Sequence, residues 1–252
     1  MNLKYLSIFF PFLFLASSCS TNMYVSNTVN APLLKEKGEV KVNLDNSNAQ
    51  IAVAVADHWG IMVNGFYKSY EKESKDFSHR GTLGELGFGY FKPFRNNMVF
   101  EVYTGLGIGT IDKKQTYSTS DNTVYWASYD AQGTKAFLQP GIGYAGRFFD
   151  VAFTPRLSFV KYTHFRAFGY TEEQLAEDYL NNDQLTSGIF TFAEPAFTVR
   201  GGYKFIKLQA QYGLTMNITQ RNIKHPSNFA SLGLVLDIAK WYKKPRQEPG
   251  TM

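Results

Sequence analysis

Hydrophobic and polar residues alternate strictly along residues 206–218, whose sequence is I-K-L-Q-A-Q-Y-G-L-T-M-N-I. Successive side chains of an extended strand point to opposite faces, so this alternation predicts a β-strand with one apolar and one polar face. Strands of soluble proteins usually have about 5–6 residues, whereas a tilted strand that crosses a membrane needs roughly 9–11. The length of the stretch therefore favours a membrane-crossing strand.

The same two-residue period recurs along the chain and predicts about ten strands in total. The other predicted strands are residues 38–44, 50–55, 61–68, 82–91, 98–111, 135–146, 151–163, 189–201 and 229–239. Pro140, Pro155 and Pro195 fall inside three of them, and proline removes a ladder hydrogen bond, so the local register is open at these points. Residues 171–181 switch to a helical period after the candidate N-cap Thr171, which predicts a short helix within a long loop.

The connections between the predicted strands alternate in length. Those at Asp57, Pro93, Phe149 and Tyr203 are short, and those at Glu71, Thr119, Glu172 and Asn222 are long; only the first connection, at Asn46, breaks the pattern. Outer-membrane barrels have short periplasmic turns and long outer loops. An even number of strands would then leave both termini on the periplasmic side, where a lipid-anchored linker would start.

Aromatic and glycine positions favour the same architecture. Aromatic belts mark membrane interfaces, and aromatic residues cluster beside the short turns, namely Trp59, Phe94, Phe148, Phe149, Tyr203, Phe205, Trp241 and Tyr242. Glycines on the polar face of the fourth and fifth strands would leave room in a narrow barrel for side chains of other strands. We therefore expect an all-β fold, an antiparallel up-and-down transmembrane β-barrel of about ten strands, with a short helix in one long outer loop.

The first residues predict secretion. Lys4 is followed by an apolar run over residues 5–15, and residues 15–19 read L-A-S-S-C, with small residues directly before Cys19. This is a secretory signal, and it resembles a bacterial lipoprotein signal, in which the cysteine carries the lipid and begins the mature chain. The alternative is an ordinary signal peptide with an unrelated cysteine. The resemblance implies lipidation of Cys19 and, because Ser20 is not aspartate, transfer to the outer membrane.

The expected organisation is a lipoprotein signal peptide at residues 1–18, a lipid-anchored linker at 19–37, the β-barrel domain at 38–242 and a periplasmic tail at 243–252. In this interpretation residues 20–37 lead from the lipid to the first strand. No acidic run follows Cys19, which disfavours display of the anchor on the cell surface.

The alternating pattern over residues 38–242 resembles the bacterial outer-membrane β-barrel superfamily. A narrower resemblance, to uncharacterised barrel lipoproteins of Bacteroidota, is carried by Y-V-S-N at residues 24–27, P-L-L-K-E-K-G-E at 32–39 and D-H-W-G-I-M at 57–62. These residues imply no known chemistry. Barrels of the superfamily often end on an aromatic residue, whereas here a tail follows Trp241 and Tyr242.

Charge and candidate chemistry narrow the choice of function. The net charge of +5 is mild and the basic residues are scattered, so nucleic acid is not an expected partner. The four histidines have no metal-ligand spacing, and we expect no metal and no cofactor. His164 and Ser158 are six residues apart and so share a predicted strand face, but they lie about 20 Å apart along it, too far for proton transfer over about 3 Å. A catalytic role is therefore not expected.

Six charged residues fall on the predicted inner face. They are Glu85, Glu101, Arg156, Glu194, Arg200 and Lys207. Isolated buried charges are costly, so the carboxylates should lie near the cations across the lumen. Such a network could line a selective pore, but a solid interior held by ion pairs is favoured, because a barrel of this size has little room for a channel.

The sequence thus predicts a non-catalytic, lipid-anchored protein embedded in the cell outer membrane, with a structural or surface-interaction role. Its expected partners are outer-membrane lipid, its own N-terminal lipid anchor, and a surface or periplasmic partner of unknown kind. Two alternatives stay open. One is an outer-membrane barrel enzyme acting on lipid, and the other is a soluble lipocalin-like lipoprotein that binds an apolar ligand.

Overall fold

The computed structural model describes residues 22–72, 76–118, 123–203 and 205–238. They form a closed antiparallel β-barrel of ten strands, which confirms the predicted all-β barrel fold. The strands are β1 (Val40–Asp45), β2 (Asn48–Ala56), β3 (Trp59–Glu71), β4 (Phe77–Pro93), β5 (Met98–Ser118), β6 (Val124–Ala145), β7 (Phe149–Phe168), β8 (Ile189–Tyr203), β9 (Ile206–Leu214), β10 (Met216–Asn217) and β11 (Asn228–Asp237).

Neighbouring strands pair in chain order, and the ring closes between β11 and β1. The short β10 continues β9 beyond Thr215 and pairs with β8, so β9 and β10 together make one strand of the barrel. Two short helices, α1 (Glu172–Glu177) and α2 (Asn182–Thr186), lie in the connection between β7 and β8, and Thr171 caps α1 as the sequence predicts. Among the described residues no helix is long and apolar enough to cross a membrane.

The strands β4 to β7 extend further at the long-loop end than the apolar pattern indicates. Residues 69–79 and 112–132 were expected to be mostly loops, yet the ladders run to the pair Glu71–Ser78 between β3 and β4 and to the pair Ser118–Val124 between β5 and β6. Polar residues can continue a hairpin because the ladder bonds are made by the backbone. The wall formed by β4 to β7 is therefore taller than the wall formed by β8 to β11.

The three prolines keep the register. Pro140 faces Val102 across β5 and β6, and Pro155 faces Pro195 across β7 and β8. Pairing between β6 and β7 stops at Leu138–Leu157 and resumes in the same register at Ile142–Phe153. The prolines thus remove hydrogen bonds between the strands, but they shift no side chain to the other face.

The barrel has an apolar outside and a polar inside. The most exposed large apolar side chains, at 70–74%, are those of Leu106, Ile108, Leu208 and Leu232. The residues that alternate with them along these strands point inward. On β9 the pattern is strict, with buried Lys207, Gln209 and Gln211 alternating with exposed Ile206, Leu208 and Ala210.

Glycines on the inner face of β4 and β5 make room for large side chains, as the sequence predicted. A Cβ built on Gly105 would lie 2.6 Å from Phe137 Cζ and 2.3 Å from the carbonyl oxygen of Leu86. The outward-facing Gly84 on the neighbouring strand has nothing within 4 Å of the same built atom. The inner glycines are therefore required by the packing of the lumen.

We expect Gly105→Ala to lower the free energy of unfolding by about 1–3 kcal/mol, because the new methyl group overpacks against Phe137 and rigid backbone. Gly84→Ala is the matched control and should change it by less than about 0.5 kcal/mol. Urea unfolding in detergent, followed by the mobility difference between folded and unfolded barrel on a gel, measures both. Equal effects of the two substitutions would contradict this packing.

Candidate functional site: the occupied lumen

The lumen is occupied by the protein's own N-terminal chain. Residues 23–34, here called the inner segment, run through the barrel in an extended conformation, and nearly all of them are buried. An extended segment of this length covers roughly 36 Å, enough to run the length of the barrel. The sequence predicted a linker in this region, so its place inside the barrel is a correction.

The middle of the inner segment is held by amide side chains of the strands. The Gln211 side chain accepts from Val29 N at 2.7 Å and donates to Val29 O at 2.9 Å, as a neighbouring strand would. Asn30 donates to Asn64 at 2.8 Å, and Gln139 donates to Asn30 O at 2.7 Å. The barrel thus supplies through side chains the hydrogen bonds that a buried backbone needs.

The half of the lumen nearer the long loops contains two charge clusters. Arg156 Nε lies 2.8 Å from Glu194 Oε2 and its Nη2 donates to Asn27 O at 2.8 Å. Glu194 also accepts from Ser26, Ser158 and Tyr24, so its carboxylate ties β7 and β8 to the inner segment. These bonds fully engage a carboxylate that has no exposed surface.

The second cluster joins β4, β6 and the inner segment. Lys135 Nζ lies 3.0 Å from Glu85 Oε1, and the Asn27 side chain donates to Glu85 at 2.8 Å while accepting from Lys135 at 2.9 Å. Glu85 and Lys135 lie on strands separated by β5, and both face Gly107 in the register. Glycine at this position leaves space for the pair to meet across β5.

The half nearer the short turns holds the other predicted charges. Glu101 accepts from Leu33 N at 2.9 Å, and Arg200 donates to Ala31 O and to Gln209, both at 2.7 Å. Lys207 pairs with Asp150 at 2.6 Å. Leu33 has a positive φ of 51°, which is unfavourable for a leucine, and bonds from Glu101 and Lys41 hold its two backbone groups.

The structure places all six predicted inner charges inside the barrel, with exposures of 0–6%. Of the predicted carboxylate–cation contacts, only Glu194–Arg156 is an ion pair. Glu85 and Lys207 pair instead with Lys135 and Asp150, and Glu101 and Arg200 bind the inner segment. Lys135 and Asp150 lie on strands that are not adjacent to those of their partners, and the contacts of Glu101 and Arg200 are with a segment that was expected to lie outside the barrel.

The long-loop end of the lumen is closed by an apolar cap. Leu180 and Leu185 from the α1–α2 region and Ile223 from the β10–β11 connection pack with Met23 and Tyr24. Tyr24 stacks on Phe192 with ring centroids 4.0 Å apart. Burial in this region raises the pKa of the Tyr170 hydroxyl, which therefore stays protonated.

A cavity of about 70 Å³ remains beside the cap, lined by apolar side chains together with His79 and Lys135. His79 Nε2 has no hydrogen-bond partner among the described residues. The cavity has room for little more than a few water molecules. The lumen is thus filled at both ends and in the middle.

His164, the histidine that the sequence analysis paired with Ser158, lies beside an aspartate near the long-loop end of β7. His164 Nε2 lies 3.6 Å from Asp130 Oδ2, which Arg166 also approaches at 3.4 Å, and these side chains are partly exposed. Ser158 points into the lumen, whereas His164 points outward, because an irregularity between β6 and β7 shifts the pattern of facing. The expectation that these two residues share a strand face is therefore wrong.

Within the described residues, no group of three or more His, Cys, Asp and Glu side chains could hold a metal ion. Cys19, the proposed lipidation site, and Trp241 and Tyr242 lie outside the described residues. No protein-family model, curated protein or solved structure matches the chain. The proposed function therefore rests on the geometry of the barrel and its lumen.

Proposed function

We propose that this protein is a lipid-anchored β-barrel embedded in the outer membrane, with a structural or surface-interaction role and no catalytic activity. The observation that carries the proposal is the continuous belt of exposed apolar side chains around the barrel. Soluble monomers rarely expose apolar patches larger than a few hundred Å². A lipid bilayer would cover this belt.

The height of the belt fits a bilayer. On β5 the outward side chains from Met98 to Ile108 are apolar except Thr104, and Asp112 and Lys114 follow above them. This stretch is about 33 Å long at roughly 3.3 Å per residue, or about 25 Å along the barrel axis for a strand tilt near 40°. The lipid-facing band of outer-membrane barrels is about 25 Å tall.

Aromatic residues border the belt on the short-turn side. Trp59, Phe148, Phe149 and Tyr203 are 43–54% exposed, and Phe148 stacks on Tyr203 with ring centroids 6.0 Å apart. Amphipathic rings prefer the level of the lipid head groups. Their position supports a membrane interface at this end.

The interior supports a structural role over the two alternatives. A lipocalin-like protein needs an apolar, empty interior, whereas this lumen is lined by charges and filled by the inner segment. A lipid-modifying enzyme needs an activated nucleophile, and Asp130 beside His164 shares its charge with Arg166 while no serine contacts the pair among the described residues.

The test is labelling of single cysteines in intact membranes. Leu208→Cys and Leu234→Cys should resist a water-soluble maleimide and should cross-link to a photoreactive lipid, because both sites face the belt. Lys114→Cys, which points outward above the belt, is the control and should be labelled readily. The parent chain gives the background from Cys19. Ready aqueous labelling at Leu208 without lipid cross-linking would overturn the membrane proposal.

A further inference from the structure

The contacts at the two ends of the inner segment show in which direction it runs through the barrel. At its start, Met23 N donates to Lys224 O at 2.9 Å, and Lys224 belongs to the β10–β11 connection at the long-loop end. At its finish, Leu34 packs with Tyr103 in the cluster beside the β2–β3 turn, and Lys35 Nζ donates to Ala145 O at the β6–β7 turn. The chain therefore enters the barrel from the long-loop end and leaves it at the short-turn end.

The first strand begins where the inner segment finishes. Gly38 N donates to Ala54 O at 2.8 Å, and Val40 pairs with Val53, close to the short turn between β2 and β3. A chain that arrived on the short-turn side could enter β1 directly and would have no need to cross the lumen. The crossing therefore places Asn22, the first described residue, at the end of the barrel opposite the short turns.

We infer that the mature N-terminus and its lipid anchor lie on the same side of the membrane as the long loops, which for an outer-membrane barrel is the cell surface. This inference rests on the proposed function for the anchor and the membrane. Three peptide links join Cys19 to Asn22 and reach at most about 11 Å. They cannot span the roughly 25 Å apolar band to the other leaflet.

The barrel wall is low where the chain enters. Phe190 and Phe192, close to the start of β8 at Ile189, pack with Met23 and Tyr24, so the start of the inner segment lies level with the ends of the short strands. Met216, which pairs with Ala193 next to Phe192, carries an exposed apolar side chain of the belt at this level. A lipid attached a few residues before Asn22 can therefore reach the loop-side leaflet over this wall.

This inference changes the expectation from sequence. The strand count placed both termini on the periplasmic side, and the absence of acidic residues after Cys19 disfavoured display of the anchor on the surface. In both expectations residues 20–37 are a linker outside the barrel. With the inner segment inside the barrel, β1 starts on the short-turn side while the N-terminus of the mature chain emerges on the other.

The direction of the inner segment can be tested without reference to a membrane. Ser26 Oγ lies 2.7 Å from Thr215 Oγ1, so the variant Ser26→Cys, Thr215→Cys should form a disulfide in mild oxidant. The control Ser26→Cys, Gly143→Cys should not, because Gly143 lies beside Leu33 at the far end of the segment. Intact mass before and after reduction measures both. Cross-linking only in the control would overturn the direction.

The side of the membrane is tested with epitopes in cells that express the full chain. An epitope inserted after Ser20 should bind antibody on intact cells, as should one in the β5–β6 connection. An epitope between Asn96 and Asn97, in the short β4–β5 turn, should bind only after permeabilisation. Binding to the β5–β6 epitope but not to the Ser20 epitope on intact cells would overturn this inference and leave the barrel proposal standing. A chain recovered in the soluble fraction would overturn both.

Discussion

Replacing Glu194 with alanine is expected to lower the free energy of unfolding by about 3–5 kcal/mol, the usual cost of removing one partner from a buried ion pair. Arg156 would keep its buried charge without a carboxylate, and Tyr24, Ser26 and Ser158 would lose their acceptor. Because Glu194 holds β7, β8 and the inner segment together, its loss should also loosen the segment. Urea unfolding in detergent measures the change.

Two further variants show how much of the loss in stability comes from leaving a buried charge without its partner. Arg166→Ala removes the same kind of pair where Arg166 is exposed and Asp130 partly exposed, and it should cost less than about 1 kcal/mol. The double variant Glu194→Leu, Arg156→Met removes both charges together and should recover part of the loss, because an uncompensated ion no longer stays in the barrel. A cost near zero for Glu194→Ala would show that the pair does not stabilise the lumen.

Which side chains point outward and which point inward could be predicted from sequence, because the two faces of each strand lie in different environments. Lipid on one side and packed polar groups on the other impose a strict two-residue period, as in residues 206–214. The prolines left this period intact because all three point outward and keep the register. The strand ends were less predictable, since above the belt the outward face of the β5–β6 hairpin mixes polar residues such as Asp112 and Lys114 with apolar Trp126, so the two-residue period is lost.

The inner segment could not be predicted from periodicity. Residues 23–34 are surrounded by the barrel on all sides, so they have no wet face and no alternation, and they read M-Y-V-S-N-T-V-N-A-P-L-L. Their backbone is satisfied by side chains such as Gln211 and Arg200 and not by a ladder. The sequence feature that indicates an internal partner is the set of long amide side chains on the inner face, such as Gln139 and Gln211, which bond to the inner segment.

The inner ion pairs differ in how far they follow from the register of adjacent strands. Glu194 and Arg156 face each other on adjacent strands, so the register alone brings them together. Glu85 meets Lys135 across Gly107, a contact between strands that are not neighbours. The sequence shows the glycine, but the contact follows only once three strands are aligned.

The substitution Leu208→Arg is expected to lower the free energy of unfolding in lipid by about 1–2 kcal/mol, between the cost of an arginine at the interface and its cost at the midplane of a membrane barrel. Leu208 is 70% exposed on the apolar belt, opposite Leu234 in the ladder. A guanidinium there loses water and gains no partner. The same substitution at Gln132, which points outward above the belt near Asp130, is the control and should change stability by less than about 0.5 kcal/mol.

The change in the free energy of unfolding on Leu208→Arg discriminates between a membrane barrel and a soluble one, because the structure shows which face of the barrel is apolar. A soluble barrel with an apolar interior would also be damaged by arginine at an inward leucine, but Leu208 points outward. In water an outward arginine would be solvated and would cost little. Arginine at the inward Gln209 is a poor control, because that side chain is buried and already accepts from Arg200 at 2.7 Å, so a second guanidinium would be repelled. Unfolding titrations of the Leu208 and Gln132 variants in lipid vesicles therefore decide the question: similar stabilities would contradict a membrane-embedded belt, and a loss confined to Leu208→Arg would support it.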